Sequence, residues 1–393
     1  MRLLYLTEEV PNRDPMHGNG SSMISYEVIR HLPDHVEVTL LTYRSEIRVP
    51  REIRRRCADV IMLEPRPPSR AALVSLVTPF SPGAASRTTG KARHAVAEVS
   101  AEADVTLLHG PHVTPLAHHV QGPLVLQVVD PWSLRVNMEA SLAHGLRAVY
   151  RRAKASQALS AERNFPRRAR LLTVGQQDAA TWAERVGRPV SSIGNGVSTV
   201  AFEVVPPPVP TVSFVGSLSY QPNVESARVL VREIGPRLRA SVPQMRIIIA
   251  GRQPDPQVQA LASDWVEVRP NVPSVSDVFQ ASTVAVFADR HGLGVRNSVK
   301  EALAAGIPVV ASASAAREQD PHPRLQVAAD EDELVELVVA ALASSRPPTT
   351  GPEPERLRSW SDVSADYLRE CTQALRDRDV PAPAVGVPRS DHR

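Results

Sequence analysis

Short apolar runs alternate with amphipathic stretches along most of the chain, and this pattern limits the fold more than any other feature. The first half has apolar runs at residues 3–6, 38–42, 60–63, 105–108, 124–129 and 171–174. The segments between them, such as 22–31 and 91–101, carry apolar residues at helical spacing. Strands that are apolar on both faces and are joined by helices are typical of covered parallel sheets. The sequence therefore predicts an α/β fold.

A proline run at 206–208 separates this series from a second one. Apolar runs recur at 212–215, 246–250, 266–269, 284–287 and 309–311, each followed by a helical pattern. We therefore predict two doubly wound, Rossmann-like domains, over residues 1–190 and 191–345. A segment rich in Pro, Ser and Thr follows, then a helix over 355–376. The tail over 379–393 is predicted to be disordered.

Composition narrows the range of functions and locations. Only 4% of the 393 residues are aromatic, so few side chains are available to stack on nucleic-acid bases. The net charge of +3 gives no global basic field, and we expect no nucleic-acid partner. Cys57 and Cys371 form no metal or redox spacing. Residues 1–7 suggest a strand rather than a signal peptide, and no apolar run suits a membrane helix. We expect a cytoplasmic protein, with peripheral contact to the inner membrane face as an alternative.

Residues 284–312 combine a strand, a glycine-rich loop and a helix. Gly292 and Gly294 allow the backbone to approach a ligand closely, and the helix is predicted to begin near Val295. Unpaired N–H groups at such a helix start attract an anion, most often a phosphate. Asn297 and Glu301 are four residues apart and share one face of the helix. A ligand with its phosphate at this helix start would reach both, although an ordinary strand–loop–helix unit has the same spacing.

Two further polar residues end predicted strands, where open α/β sheets concentrate functional groups. His109 is suited to proton transfer or to a hydrogen bond with a sugar hydroxyl, and its alternative role is to cap a turn. Asp130 would bind substrate or cap the next helix. A zinc site at His112, His118 and His119 is not predicted, because zinc needs ligands that converge from several elements.

The order of these motifs resembles the family 4 glycosyltransferases with the GT-B architecture over residues 1–376. The resemblance is strongest to sugar transferases of polysaccharide and natural-product clusters. It is carried by the loop Gly18-Asn19-Gly20, the strand end at His109, the segment 193–197 around Asn195, the strand ends at Gly216 and Arg252, and residues 284–312.

This resemblance implies a retaining glycosyltransferase that needs no metal or other cofactor. The donor would be a nucleoside diphosphate sugar, with UDP or GDP favoured over ADP, and the acceptor a hydroxyl of a polysaccharide, lipid-linked or natural-product molecule. The N-terminal domain would bind the acceptor, the C-terminal domain would bind the donor, and the last helix would pack back on the N-terminal domain. The resemblance implies His109 as a catalytic residue and Gly18, Gly20, Asn195, Gly216, Arg252, Gly292, Gly294, Asn297 and Glu301 as substrate-binding residues. Two further candidates come from their positions in this sequence: Asp130, at a strand end, for substrate binding, and Arg296, at a helix start, as the second catalytic residue.

The chain also departs from the family pattern in two places. Leu293 occupies a position that commonly holds a sugar-binding glutamate, and residues 217–223 lack the usual Arg and Lys that grip the pyrophosphate. We expect Arg296 to offset the diphosphate instead, with Lys300 as the alternative. These departures leave open a non-catalytic GT-B protein that binds a sugar nucleotide or supports a partner enzyme. The basic clusters at 54–56, 151–154 and 163–170 would contact anionic lipid or form solvated helix faces.

Overall fold

The computed structural model describes residues 1–14, 18, 20–141, 145–198, 207–290, 294–344 and 357–378. These residues form two sheets flanked by helices. The strands are β1 (Arg2–Thr7), β2 (Glu37–Tyr43), β3 (Asp59–Leu63), β4 (Val105–His109), β5 (Leu124–Gln127), β6 (Arg170–Thr173), β7 (Ser191–Ser192), β8 (Thr211–Val215), β9 (Arg246–Gly251), β10 (Val266–Pro270), β11 (Val284–Phe287), β12 (Val309–Ser312) and β13 (Leu325–Ala328). The helices are α1 (Gly20–His31), α2 (Arg51–Arg56), α3 (Pro68–Val77), α4 (Pro82–Arg87), α5 (Gly90–Glu102), α6 (Trp132–Ser141), α7 (Leu146–Glu162), α8 (Gln176–Val186), α9 (Gln221–Val229), α10 (Gly235–Ser241), α11 (Pro256–Gln259), α12 (Val275–Gln280), α13 (Asn297–Ala304), α14 (Glu331–Ala343) and α15 (Trp360–Arg378).

Both sheets are doubly wound, as the sequence predicts. The strand order is β3-β2-β1-β4-β5-β6-β7 in the first sheet and β10-β9-β8-β11-β12-β13 in the second. All neighbouring strands run parallel. In each sheet the direction of the strand order reverses once, between β1 and β4 in the first sheet and between β8 and β11 in the second. Open α/β sheets bind ligands beyond the carboxyl ends of the strands at such a reversal.

Helix α15 returns to the N-terminal half after the second sheet is complete. Trp360 and Tyr367 are buried in the same apolar core as Tyr5 of β1. The Ser364 hydroxyl donates a 2.9 Å hydrogen bond to the carbonyl of Val28 in α1. The start of this helix therefore lies where the two halves meet.

Polar contacts also join the two halves directly. The Glu318 carboxylate accepts hydrogen bonds of 2.7 Å from the backbone N–H groups of Gln176 and Gln177, at the start of α8. Beside it, Arg317 pairs with Asp178 at 3.3 Å. An anion at a helix N-terminus is favourable because the N–H groups there have no partner within the helix.

Several predicted boundaries differ from the structure. The run at 124–129 ends as a strand at Gln127, because the backbone turns at Val129, where φ is 60°. Hydrogen bonds from Thr173 Oγ1 and Trp182 Nε1 to the Val129 carbonyl, 2.7 and 2.9 Å long, fix this turn. Helix α13 begins at Asn297, two residues later than predicted. The predicted tail 379–393 and residues 355–356 lie outside the described residues.

Candidate active site

A cleft of about 800 Å³ lies between the two halves, and both halves contribute to its wall. It includes the carboxyl ends of β8 and β9, the start of α13 and the loop that precedes α1. This volume is typical of a site for a small molecule. Of the predicted site residues, the cleft is lined by Gly18, Gly20, Gly216, Arg252, Gly294, Arg296, Asn297 and Glu301.

The N-terminal wall is formed by the predicted glycine loop. Gly18 donates a 2.8 Å backbone hydrogen bond to the carbonyl of Asp14. A Cβ atom at Gly18 would lie 2.7 Å from that same carbonyl oxygen, so a larger residue would force the loop open. Gly20 is the first residue of α1 and has open space around it. Asn19, between them, lies outside the described residues.

Close packing of two strand ends shapes the opposite wall. A Cβ at Gly251 would lie 1.7 Å from the carbonyl oxygen of Gly216, and Gly251 has a φ of 156°. Only a glycine at position 251 permits this approach. The residues that follow each strand, Ser217 and Arg252, are thereby brought together on the cleft wall, with Arg252 Nε 3.4 Å from Ser217 Oγ.

Arg252 brings a positive charge to the cleft, and it forms no ion pair with a carboxylate within the described part of the chain. Apart from the long contact with Ser217, its guanidinium has no hydrogen-bond partner among the described residues. Burial lowers its pKa, and the charge of Glu9 opposes that effect. An arginine holds its proton in any protein, so the group is a cation with free donors.

Arg296 lies in the cleft wall but is already paired. Its Nε and Nη2 donate to the two carboxylate oxygens of Asp289, both at 2.6 Å. Nη2 also donates to Asn223 Oδ1 at 2.9 Å. The arginine and aspartate side chains are only 12% and 8% exposed. This arrangement favours a positioning role for Arg296 over the predicted role of offsetting a diphosphate, because its charge is neutralised.

The guanidinium of Arg296 also lies between two aromatic rings. Its central carbon is 5.2 Å from the ring centre of Phe214 in β8 and 5.0 Å from that of Phe287 in β11. These strands flank the point where the strand order reverses. Arg296 therefore ties the start of α13 to both of them through charge and cation–π contacts.

Helix α13 presents Asn297 and Glu301 to the cleft, as their spacing predicts. The Glu301 carboxylate has no hydrogen-bond partner among the described residues, and burial raises its pKa against the opposing charge of Arg13. The first turn has no side-chain cap, so its N–H groups are available to an anion. Gly294 lies at the rim, and Gly292 lies outside the described residues.

Three predicted site residues do not line the cleft. His109 is buried in the N-terminal core, where its Nδ1 lies 2.9 Å from the Tyr5 hydroxyl and its ring stacks on Tyr367. Burial lowers its pKa to about 3, so the ring is neutral. Asp130 is buried beyond the Val129 turn, and Asn195 is buried between the halves. These placements favour structural roles over contact with substrate.

Asn195 links the two halves at the start of α13. Its Nδ2 donates to Asn297 Oδ1 at 2.7 Å, and its carbonyl accepts a 3.2 Å hydrogen bond from Lys300 Nζ. Burial lowers the pKa of Lys300. The lysine that was the alternative diphosphate partner is thus engaged with the backbone of the domain junction.

The sequence reasoning missed several residues of the cleft. Asp289 directly follows the buried run of β11 and its Ala288, so its position at a strand end was a usable signal. Ser217 and Asn223 lie in the segment 217–223, which the sequence analysis considered only for its missing Arg and Lys. Arg13 carried no signal, because it reaches the cleft through the fold of the loop before α1.

Two kinds of feature are absent from the described residues. No group of three or more His, Cys, Asp or Glu side chains converges there in a way that could hold a metal ion. Within the same residues, no helix is both long enough and apolar enough to cross a bilayer.

Comparison with known proteins finds one family match, in the C-terminal half. Residues 209–344 match the family described as glycosyl transferases group 1. No curated protein sequence matches the chain. Two solved structures are similar over nearly the whole length. HepE from Anabaena, in complex with UDP and glucose, has 12% identity and a TM-score of 0.57, with 96% of this chain and 97% of that chain covered. The apo lipopolysaccharide outer core galactosyltransferase WaaB has 10% identity and a TM-score of 0.54, with 96% and 98% covered.

A third structure has the same architecture. The UDP-forming α,α-trehalose-phosphate synthase from Burkholderia vietnamiensis has 13% identity and a TM-score of 0.52, with 96% of this chain and 97% of that chain covered. The similarity confirms the predicted GT-B fold of two facing Rossmann-like domains. The chain thus has a GT-B fold, and residues 209–344 of its second half are similar to the group 1 glycosyl transferases.

Proposed function

We propose that this protein is a glycosyltransferase that moves a sugar from a nucleoside diphosphate to a hydroxyl group, with retention of configuration. The observation that carries the proposal is that two side chains of opposite charge, neither of them in an ion pair with a described residue, line the same cleft. Arg252 offers free cationic donors, and Glu301 offers a free carboxylate. A nucleoside diphosphate needs both, because its phosphates are anionic and its ribose hydroxyls donate hydrogen bonds.

The cleft orients such a donor in one direction. The phosphates would face the first-turn N–H groups of α13 and the guanidinium of Arg252, and the ribose would face Glu301. As the bond between the sugar and the diphosphate breaks, negative charge grows on the leaving oxygen. Helix N–H groups and a fixed cation stabilise that charge without having to reorganise. UDP and GDP are the proposed nucleotides, and the proposed reaction requires no metal.

A non-catalytic GT-B protein that binds a sugar nucleotide is the second candidate. Two observations favour it. His109 lies outside the cleft, and the charge of Arg296 is neutralised by Asp289. No side chain in the described cleft is therefore assigned as a proton acceptor.

Donor turnover separates the two candidates. Purified protein would be incubated with UDP- and GDP-sugars, and the released nucleoside diphosphate measured with and without hydroxylated acceptors. Transfer, or slow donor hydrolysis that is lost in Arg252→Ala, supports the enzyme. Tight nucleotide binding with no release from a broad donor panel supports the non-catalytic protein.

We further propose a cytoplasmic enzyme that contacts an anionic membrane through helices α3 and α7. Leu73, Leu76 and Val77 are exposed on α3 to 66%, 62% and 85%. Val149 and Tyr150 are exposed at the start of α7. Clustered exposed apolar side chains of this size commonly mark interaction surfaces.

Basic residues surround this apolar surface. Lys154 of α7 donates a hydrogen bond to the Ser75 carbonyl, which places the two helices side by side. Arg70 and Arg152 are exposed on the same helices, and α3 contains no acidic residue. An apolar surface with a basic rim is suited to anionic lipid. In the adjacent helix α4, Arg87 donates a hydrogen bond to the carbonyl of Glu8, the residue that follows β1. A lipid-linked acceptor would suit this arrangement.

Vesicle sedimentation tests the membrane proposal. Leu73→Glu with Val77→Glu should weaken binding to phosphatidylglycerol vesicles at least about tenfold, because burying two carboxylates at the interface is costly. Val327→Glu alters an exposed valine of the other half and serves as the control. Equal vesicle binding by both variants would contradict the proposed surface.

A further inference from the structure

A second pocket, distinct from the cleft, lies at the opposite edge of the N-terminal sheet. Its volume is about 550 Å³. Residues just before β5, β6 and β7 line it, together with the last turn of α15. Because these strands are parallel, their amino ends lie at the edge opposite their carboxyl ends, where the cleft opens. The pocket therefore shares no residue with the proposed donor site.

The lining of this pocket is strongly cationic. Its charged residues are five arginines and one aspartate, namely Arg167, Arg168, Arg170, Arg188, Arg378 and Asp377. Arg170 is neutralised, since it pairs with Glu370 and Asp377, both at 2.8 Å. The other four arginines have no carboxylate partner among the described residues. The pocket thus concentrates positive charge that the carboxylates of the described residues do not balance.

Two of the four arginines are held in fixed positions by backbone carbonyls. Arg168 donates to the carbonyls of Gly122 and Val120, at 3.2 and 2.6 Å. Arg188 donates to the carbonyls of Pro166 and Arg167. A carbonyl partner orients a guanidinium but leaves its full charge in place. These groups are therefore positioned in advance rather than neutralised.

The other two arginines have free side chains within the described structure. Arg167 and Arg378 are exposed, and no hydrogen bond from either guanidinium to a described residue is present. Burial lowers the pKa of Arg188, and the like charge of Arg167 lowers it further. An anion in the pocket would offset these like charges.

We propose that this pocket binds a small molecule carrying at least two phosphate charges. Arginine suits phosphate because its planar fork donates two parallel hydrogen bonds to adjacent oxygens. The volume fits a molecule of small-ligand size rather than an extended polymer. The ligand is a soluble phosphate ester or the headgroup of an anionic lipid, and the two share this chemistry.

Calorimetry with inorganic tripolyphosphate tests the proposal. The pocket variant is Arg167→Glu with Arg378→Glu, and the matched control is Arg54→Glu with Arg232→Glu, which changes two exposed arginines elsewhere by the same charge. We expect the pocket variant to lose at least about tenfold in affinity and the control to stay within about twofold. A milder variant, Arg167→Gln with Arg378→Gln, keeps the test valid if the charge reversal impairs folding.

The donor cleft is tested separately with Arg252→Ala. This variant should still bind tripolyphosphate at the second pocket, whether or not the proposed transferase activity is found. Loss of tripolyphosphate binding in Arg252→Ala alone would place the anion in the cleft and overturn the proposal. Equal affinity in the pocket variant and its control would overturn it as well.

A soluble short-chain phosphatidic acid, whose phosphate monoester carries up to two charges, identifies the source of the phosphate. If it competes with tripolyphosphate in the wild type but does not bind the pocket variant, the ligand is a lipid headgroup. If tripolyphosphate binds at the pocket and the lipid does not compete, the ligand is a soluble phosphate ester. Both results support the pocket as a phosphate site, and binding of neither compound would contradict it.

Discussion

Glu301 is the residue whose environment is hardest to explain without a ligand. Its carboxylate faces the cleft, has no hydrogen-bond partner in the described structure and has a raised pKa because of burial. Glu301 is partly buried, and an ionised group that loses water without gaining a partner costs free energy, so proteins retain such groups where a function requires them. In the proposed function, two ribose hydroxyls supply the missing partners.

This environment predicts how Glu301 affects stability with pH. Its pKa is higher in the folded protein than in the unfolded chain, so the folded state binds the extra proton between the two values. The free energy of unfolding should therefore fall as pH rises through the ordinary glutamate range toward the raised pKa. Glu301→Gln should remove that part of the slope and stabilise the empty protein at neutral pH. Urea unfolding of both proteins across this range measures it, and identical slopes would contradict the prediction.

Substitutions of Arg252 and Arg296 should affect different properties, nucleotide binding for Arg252 and stability for Arg296. Arg252→Ala should weaken UDP binding about 10- to 150-fold with little change in stability, since a charged hydrogen bond is worth about 1.5–3 kcal/mol. Arg296→Ala removes the cation that pairs with the buried Asp289 and leaves only the Ser226 hydroxyl, 2.6 Å away, as a hydrogen-bond donor to it among the described residues. The substitution should therefore lower the free energy of unfolding by about 3–5 kcal/mol.

Calorimetry with UDP and urea unfolding of both variants measure these effects. Restoring stability in Arg296→Ala by adding Asp289→Asn would confirm the pairing. Normal stability of Arg296→Ala would instead return Arg296 to the role predicted from the sequence, as the cation that offsets the diphosphate.

At the scale of elements, helix α8 depends on the other half of the molecule for its cap. Gly175 has no side chain to cap the helix, and Glu318 takes that role from beyond β12. Glu318→Gln should lower the free energy of unfolding by about 1–2 kcal/mol, because it removes the charge at the helix N-terminus. It should also favour open arrangements of the two halves, measurable as a larger radius of gyration by X-ray scattering.

Glu336→Gln is the matched control, because Glu336 is exposed on α14 and has no partner among the described residues. An unchanged radius of gyration and stability in Glu318→Gln would show that the capping contact does not hold the halves together.

The elements themselves were largely predictable, and the failures have physical causes. Buried runs such as 284–287 identify strands because both faces are apolar. Strand β7 has only two polar residues, Ser191 and Ser192, so no apolar pattern marks it. The early end of β5 arises from hydrogen bonds donated by Thr173 and Trp182, which are distant in sequence. Local patterns carry no information about such long-range contacts.

The positions of site residues were predictable where they depend only on local helix geometry. Four-residue spacing placed Asn297 and Glu301 on one helix face, and both line the cleft. The catalytic role of His109 stays a prediction. Its side chain is buried and does not line the cleft, because the end of a strand does not determine which side of the sheet a side chain faces. The pairing of Arg296 with Asp289 depends on the conformation of the loop between β11 and α13, which the sequence does not reveal.

On the scale of the whole molecule, the two doubly wound halves place their strand-order reversals on either side of one cleft. The C-terminal wall supplies Arg252, Glu301 and the start of α13, and the N-terminal wall supplies the glycine loop at Gly18. A ligand that contacts both walls binds the closed arrangement more tightly than an open one, and so favours closure. Because the C-terminal wall supplies the charged groups of the cleft, nucleotide binding should depend most on residues of that half, and Glu301 is the one to test.

Calorimetric titration of UDP, GDP and ADP into the wild type, Glu301→Gln and Glu336→Gln tests this account most directly. The account predicts that UDP or GDP binds more tightly than ADP. It predicts a loss of about 10- to 150-fold in Glu301→Gln, because a neutral amide replaces a charged acceptor, and a change within about twofold in Glu336→Gln. If no nucleotide binds at millimolar concentration, or if both variants bind like the wild type, the cleft is not a site for a nucleoside diphosphate.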